Sequence, residues 1–213
     1  MAAVQYAGKC GVSNQMLAER VFPLEIAAPL TRLLSKPKRI KIAVGGRGSA
    51  KSTGIGGVMT MFRDAGERIC CTREFQNSID DSVHESLKSE IERLGLSSRF
   101  NVRASDILGC NGGEIFYRGL SRNISSMKSL HGVQKLWIEE GESISEKSLR
   151  VLTPSVRSSA ADNVVDIDGE NNPPEIWITM NRGSSKDAIS KKYLARAEKD
   201  LAKQGWYEDD LLM

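Results

Sequence analysis

Ile40-Lys-Ile-Ala-Val44 is a short apolar run that leads straight into a glycine-rich segment, and the apolar positions that follow switch between a strand-like and a helix-like period. The spacing predicts a strand over 40–44, a helix from Lys51 to Ala65, a second strand from Arg68 to Thr72, and a long amphipathic helix from Asn77 to Leu94 stopped by Gly95. Phe100 to Leu108 and Glu114 to Leu120 flank Asn111-Gly112-Gly113 and are expected to pair as a hairpin. Gln134 to Ile138 and Glu175 to Met180 read as further strands, ending on Glu139-Glu140 and on Asn181. Strands alternating with helices predict an α/β fold with a predominantly parallel central sheet and flanking helices. In such sheets ligands bind at the carboxyl ends of the strands. The segment 45–52, the pair 139/140 and Asn181 are therefore expected to converge on one crevice.

On either side of this core, expected over 39–183, the pattern weakens. Residues 1–38 carry Gly8, Gly11, Pro23, Pro29 and Pro37 around a short apolar segment and read as an irregular or partly helical lead-in rather than a core element. Ser158 to Pro174 is polar and is expected to be an exposed loop. In 184–213, Ser185 to Gln204 spaces Ile189, Tyr193, Leu194, Ala197 and Leu201 among lysines, as a surface helix does, and Trp206 to Met213 reads as the approach to another strand. Because the chain stops there, it is expected to be part of a longer protein.

Composition narrows the class. With 213 residues, 40% hydrophobic and 27% charged, the chain suits one soluble α/β domain. No apolar run is long enough to span a bilayer, and no secretory leader is visible. Cys10, Cys70, Cys71 and Cys110 show no C-x-x-C spacing and are expected to be reduced and buried. His84 and His131 lack partners at metal-ligand spacing and read as surface or helix-face residues. A net charge of +3 leaves any nucleic-acid contact to a local patch, with Arg122, Lys128, Lys186, Lys191 and Lys192 as candidates or as plain solvated charges.

The chemistry concentrates in Gly45-Gly46-Arg47-Gly48-Ser49-Ala50-Lys51-Ser52-Thr53. A strand that delivers small residues to a helix N-terminus lets successive backbone N–H groups point at phosphate, so this segment reads as a P-loop for ATP. Lys51 would reach the β/γ oxygens, and Ser52 would hold Mg²⁺. Ala50 stands where the pattern carries its last glycine. With an alanine there, the turn is expected to survive if that position is right-handed and to fail if it needs positive φ. Of the paired acids, Glu139 would face the metal and Glu140 would orient the attacking water as general base, the alternative being solvated strand-end charge. Arg47 would reach the γ-phosphate, tie the loop to a neighbouring strand or stay a solvated loop charge. Thr179 and Asn181 would contact the γ-phosphate or merely cap a strand. Arg150 and Arg157 would serve as an arginine finger in a neighbouring subunit or form surface ion pairs.

Gly45 to Ser52, Cys71-Thr-Arg-Glu-Phe-Gln-Asn-Ser-Ile-Asp-Asp-Ser-Val83, Met127 to Leu130, Trp137-Ile-Glu-Glu140 and Leu152-Thr-Pro-Ser-Val-Arg157 occur in the order found in the large terminase subunits of tailed bacteriophages. The chain resembles the N-terminal ATPase half of those subunits over about residues 38–182. The resemblance implies a P-loop NTPase of the RecA/ASCE type that hydrolyses ATP with Mg²⁺ to drive double-stranded DNA into a procapsid. It further implies a pentameric ring, partnership with the portal protein and the small terminase subunit, and action in the host cell cytoplasm. By it, Lys51 and Ser52 become the phosphate and Mg²⁺ residues, Glu139 the metal-side acid in place of the aspartate of generic Walker B strands, Glu140 the catalytic glutamate, and Thr179 to Asn181 the coupling motif. The RNase H-like nuclease that normally follows is not supplied by this sequence. A helicase- or recombination-type ATPase, and a module that binds ATP without turning it over, remain the alternatives.

Overall fold

The computed structural model describes residues 2–4, 24–34, 38–64, 66–75, 79–110, 112–121, 130, 132–157, 174–204 and 211–212. Cys10, Arg122, Lys128, His131, Asn111 of the expected hairpin turn, nearly all of the expected loop 158–174 and most of the lead-in lie outside them.

The strands are β1 Ala2–Val4, β2 Leu24–Ile26, β3 Ile40–Gly45, β4 Arg68–Arg73, β5 Phe100–Val102, β6 Asp106–Gly109, β7 Glu114–Gly119, β8 Lys135–Ile138, β9 Glu175–Asn181 and β10 Leu211–Leu212. The helices are α1 Lys51–Asp64, α2 Ile79–Arg93, α3 Glu146–Ser155 and α4 Ala195–Gln204. Eight strands form one sheet in the order β10-β3-β9-β8-β4-β7-β6-β5. Pairing is parallel from β10 to β7 and antiparallel from β7 to β5. This is the mostly parallel α/β sheet that the alternation of strands and helices predicts.

The two-residue period of the strands sorts their side chains into two cores. Ile69, Cys71, Trp137 and Trp177 share one cluster with Ile55, Val58 and Met59 of α1 and Val83, Leu87 and Ile91 of α2. Cys70, Leu136, Ile138, Ile176, Ile178 and Met180 point the other way, against Leu149 and Leu152 of α3 and Ile189, Tyr193 and Leu194. Extending each strand by this alternation puts Arg73, Glu139, Thr179 and Asn181 on the α1 side. At the opposite ends of the strands Lys41, Glu67, Lys135 and Glu175 form a buried charge cluster, with Lys41 Nζ 2.7 Å from Glu175 Oε1.

Several elements differ from expectation. The lead-in contributes to the core: Leu24, Ile26, Leu30 and Leu33 are buried in the α1 cluster. They come this close because α1 carries Gly54 and Gly57, where a Cβ would stand 2.8 Å from Leu30 Cδ1 and 2.5 Å from Leu24 Cδ1. The segment read as one strand over 100–108 is two, β5 and β6. Arg103 turns the chain between them, its guanidinium on the Asp106 carboxylate at 2.5 and 2.6 Å and its N–H on Asp106 O at 2.9 Å.

No element is expected over 146–155 from the sequence, and Pro154 there is a residue that helix interiors disfavour. α3 forms nonetheless, with Ser145 Oγ accepting from Ser148 N at its start and Pro154 confined to its last turn. Arg39 closes the other end by donating to the carbonyls of Thr153 and Val156 at 2.9 and 2.7 Å, where a cation suits the helix dipole. The segment read as a surface helix begins with a π turn, Ser190–Leu194, and buries Ile189, Tyr193, Leu194 and Ala197. The expected approach to a further strand ends in β10, which extends the sheet beside β3. Among the described residues no helix is long and apolar enough to cross a membrane.

Candidate nucleotide site

Strand register brings the polar strand ends together. Gly45 at the end of β3 pairs with Asn181 at the end of β9, and Ile138 pairs with Ile178 and with Thr72. Glu139 therefore emerges beside Thr179 on one side and Arg73 on the other. Arg47, Gly48, Ser49, Ala50, Lys51, Ser52, Thr53, Glu139, Glu140, Glu142, Thr179, Met180 and Asn181 line one crevice of about 410 Å³. The three segments expected to converge do so.

The loop wraps around the Lys51 ammonium. Nζ donates to Gly45 O at 3.0 Å, Gly46 O at 2.8 Å, Ser49 Oγ at 2.9 Å and Asn181 Oδ1 at 3.2 Å. Gly48 has φ +74 and Ala50 has φ +58. The position is therefore left-handed, and, against the expectation that the turn fails there, the loop holds its path with an alanine. Gly54 N donates to Ala50 O at 2.9 Å, so the first turn of α1 is closed on that residue. Arg47 and Thr53 are exposed at the rim.

Ser52 Oγ donates to Glu139 Oε1 at 2.8 Å. The other carboxylate oxygen meets the Arg73 guanidinium, and the two side chains are only 9% and 7% exposed. Burial pushes the Glu139 carboxyl above the usual range; Arg73 and the Ser52 hydroxyl pull it back, and the neighbouring Glu140 pushes it up again. Glu140 is 47% exposed, with Oε1 3.6 Å from Arg73 Nη2. Its backbone is left-handed, φ 55 and ψ 49. Ala50 and Glu140 are the two non-glycine residues with positive φ among those described, and both line this crevice. Such strain persists only where surrounding contacts over-determine it.

Thr179 is buried and its Oγ1 accepts from Trp137 Nε1 at 3.1 Å. Arg157 is exposed just beyond the C-terminal end of α3, outside the crevice, and Arg150 lines a second groove with Lys191 and Lys192. Three residues that matter here have no role in the sequence reading. Arg73 holds both carboxylates. Glu74 accepts from Ser145 N and Ser148 Oγ at 3.2 and 3.1 Å, fixing the start of α3. Glu142 accepts from both nitrogens of Asn181. Period-two alternation from Ile69 through Cys71 does place Arg73 on the α1 side; the other two depend on the turn after β8.

Away from the crevice, Cys70 and Cys71 are buried as expected, but Cys110 is exposed. Of the two readings of His84, surface or helix face, the second holds: it lies on α2 and is buried, with Nδ1 3.0 Å from the Tyr117 hydroxyl.

The sheet, with its glycine-rich loop after β3 running into a helix and an acidic strand end on β8, one strand removed from β3, defines a P-loop-type α/β fold. A family model described as phage terminase large subunit matches residues 37–213, and the chain belongs to that family. Its fold is similar to that of the bacteriophage HK97 large terminase, with TM-score 0.60 and 13% identity over 89% of this chain and 39% of that one. It is also similar to the large terminase of a thermophilic bacteriophage in complex with ADP, with TM-score 0.56 and 13% identity over 84% of this chain and 40% of that one. The N-terminal domain of the DNA packaging ATPase from bacteriophage phi29 matches with TM-score 0.54 and 15% identity, over 85% of this chain and 92% of that domain. The chain spans about two fifths of the two large terminases. The comparison with curated proteins gave no match.

Proposed function

We propose that the chain hydrolyses ATP with Mg²⁺ and serves as the motor domain of a packaging machine that drives double-stranded DNA into a procapsid. The observation that carries this reading is the convergence of Lys51, Ser52, Glu139 and Glu140 on one crevice. Ser52 Oγ and Glu139 Oε1, 2.8 Å apart, are hard oxygen donors at the separation of neighbouring ligands around an octahedral ion with bonds of about 2.0–2.1 Å. They fit Mg²⁺, which would neutralise charge on the β/γ oxygens.

The chain's own groups supply the rest. Backbone N–H groups of the loop and the first turn of α1 cradle phosphate. Lys51 exchanges loop carbonyls for phosphate oxygens. Glu140 orients a water whose oxygen attacks the γ-phosphorus as the bond to the β-bridging oxygen breaks, and its carboxylate takes the proton. Arg73 favours the ionised form of Glu139 against its burial and holds it in place, while Arg47 at the rim offers a cation to the γ-phosphate. Arg157 and Arg150, both exposed, are the candidates to complete a neighbour's site in a pentameric ring.

Family membership supports double-stranded DNA, the portal protein and the small terminase subunit as partners, and the host cell cytoplasm as the place of action. A translocase grips phosphates rather than bases. The groove of about 450 Å³ lined by Arg150, Lys191 and Lys192, with Glu146 holding Lys191 Nζ at 3.0 Å, offers such contacts. The test is ATP-dependent displacement of a third strand from triplex DNA. Displacement with the duplex left intact, lost in Lys51→Ala, supports a packaging-type translocase; ATP-dependent separation of a short duplex identifies a helicase-type ATPase instead.

A further inference from the structure

We infer that Glu142 is a positioning residue that orients the Asn181 amide toward Lys51 and ties the turn carrying Glu140 to the phosphate loop. Glu142 belongs to the turn Gly141–Ser143, immediately after Glu140. Its Oε2 accepts from Asn181 N at 3.0 Å and its Oε1 from Asn181 Nδ2 at 2.9 Å. A carboxylate has no donor, so the group facing Oε1 has to be the NH₂ end of the amide. That leaves Asn181 Oδ1 for Lys51 Nζ, 3.2 Å away. An ammonium has donors only, so a reversed amide would set NH₂ against NH₃⁺. The orientation is thus fixed from both sides, and three separate segments meet in one chain of hydrogen bonds: loop, strand end and turn.

The inference rests on the ATPase reading and adds a coupling to it. A phosphate oxygen competes with Asn181 Oδ1 for Lys51. When Lys51 turns to phosphate, Asn181 and Glu142 lose the charge that anchors them. The backbone that is rearranged as a result carries Glu140.

The experiment is an acceptor-for-donor swap. Glu142→Gln puts a donor opposite Asn181 Nδ2, draws the Asn181 oxygen toward residue 142 and turns its nitrogen onto Lys51. Asn181→Asp sets two carboxylates face to face. The double substitution restores complementarity, since the carboxylate at 181 accepts from both Lys51 and the amide at 142. We expect each single change to lower kcat about tenfold to a hundredfold, the range for a mis-set, partly buried hydrogen bond to a charged group, with a smaller change in KM. The pair should return within about threefold of wild type, given a coupling of the size seen for contacting residues. In the nucleotide-free protein, the Asn181 side-chain amide should show an exchange-protected NMR signal that is lost in Glu142→Gln.

A kcat within twofold of wild type in Glu142→Gln, or a double variant no better than the worse single one at equal urea stability, overturns the inference and leaves the ATPase reading standing. If the wild type neither binds nor hydrolyses ATP, the ATPase reading has failed. The amide signal then decides alone whether Glu142 orients Asn181.

Discussion

The Ser52 hydroxyl and Glu139 Oε1 lie 2.8 Å apart although 87 residues separate them in the chain. The hydrogen bond joins the first turn of α1 to the end of β8, and sheet order makes it possible, because one strand, β9, stands between β3 and β8. The remaining Glu139 oxygen is held by Arg73 from β4, on the other side of β8.

Arg73 is therefore expected to be a stability residue as well as a site residue. Removing one partner of a buried pair leaves an uncompensated charge and costs about 3–5 kcal/mol. Arg73→Ala should lower the urea midpoint accordingly, and adding Glu139→Gln should recover part of the loss. An unchanged midpoint would show that the pair is solvated rather than buried.

Ala50 sits at φ +58, where an L-residue is disfavoured by about 1–2 kcal/mol and glycine is not. Glycine gives back some of this through its larger unfolded-state entropy. Ala50→Gly should raise stability by about 1 kcal/mol in denaturant titration, and a fall would mean that the left-handed turn is relaxed by other means.

Gly141 packs the turn after Glu140 against β9. A Cβ there would stand 2.6 Å from Ile178 Cγ2 and 3.4 Å from Met180 Cβ. Gly141→Ala should cost about 1–3 kcal/mol, the usual cost of overpacking. It should also displace Glu140, lowering turnover in excess of the stability loss. Ile178→Ala, which removes the clashing methyl, should restore part of the activity of Gly141→Ala; no recovery would place the defect elsewhere.

Burial pushes the Cys70 thiol from its ordinary 9.0 up to about 12, and burial pushes Cys71 well above its ordinary value too. A raised folded-state pKa contributes stability that is intact below the unfolded value and is lost as pH rises from 9 toward 12, at up to about 1.4 kcal/mol per pH unit per thiol. Cys70→Ala should flatten the alkaline decline in urea stability. At neutral pH a thiol reagent should label Cys110 in the folded protein and spare Cys70 and Cys71.

The loop and most strands are legible in the sequence because apolar runs bounded by turn residues report buried parallel strands directly. The convergence of Lys51, Glu139 and Asn181 follows from strand ends alone. What escapes has physical causes. Leu24 and Leu30 look peripheral until the small residues Gly54 and Gly57 on α1 are seen to admit them. α3 is short and carries Pro154, which the helix tolerates because it falls in the last turn. Arg103 and Asp106 split a strand by a side-chain contact that no period encodes. Glu74 and Glu142 act through turns whose course depends on a left-handed Glu140.

ATP-dependent phosphate release by the purified chain over a protein concentration series, beside Lys51→Ala and Glu140→Gln, tests the central claim most directly. Turnover per molecule should rise with concentration, as a site completed by a neighbour requires, and both substitutions should abolish it. Nucleotide binding with turnover at background at every concentration, in wild type and both variants alike, would contradict hydrolysis at this crevice and leave an ATP-binding module.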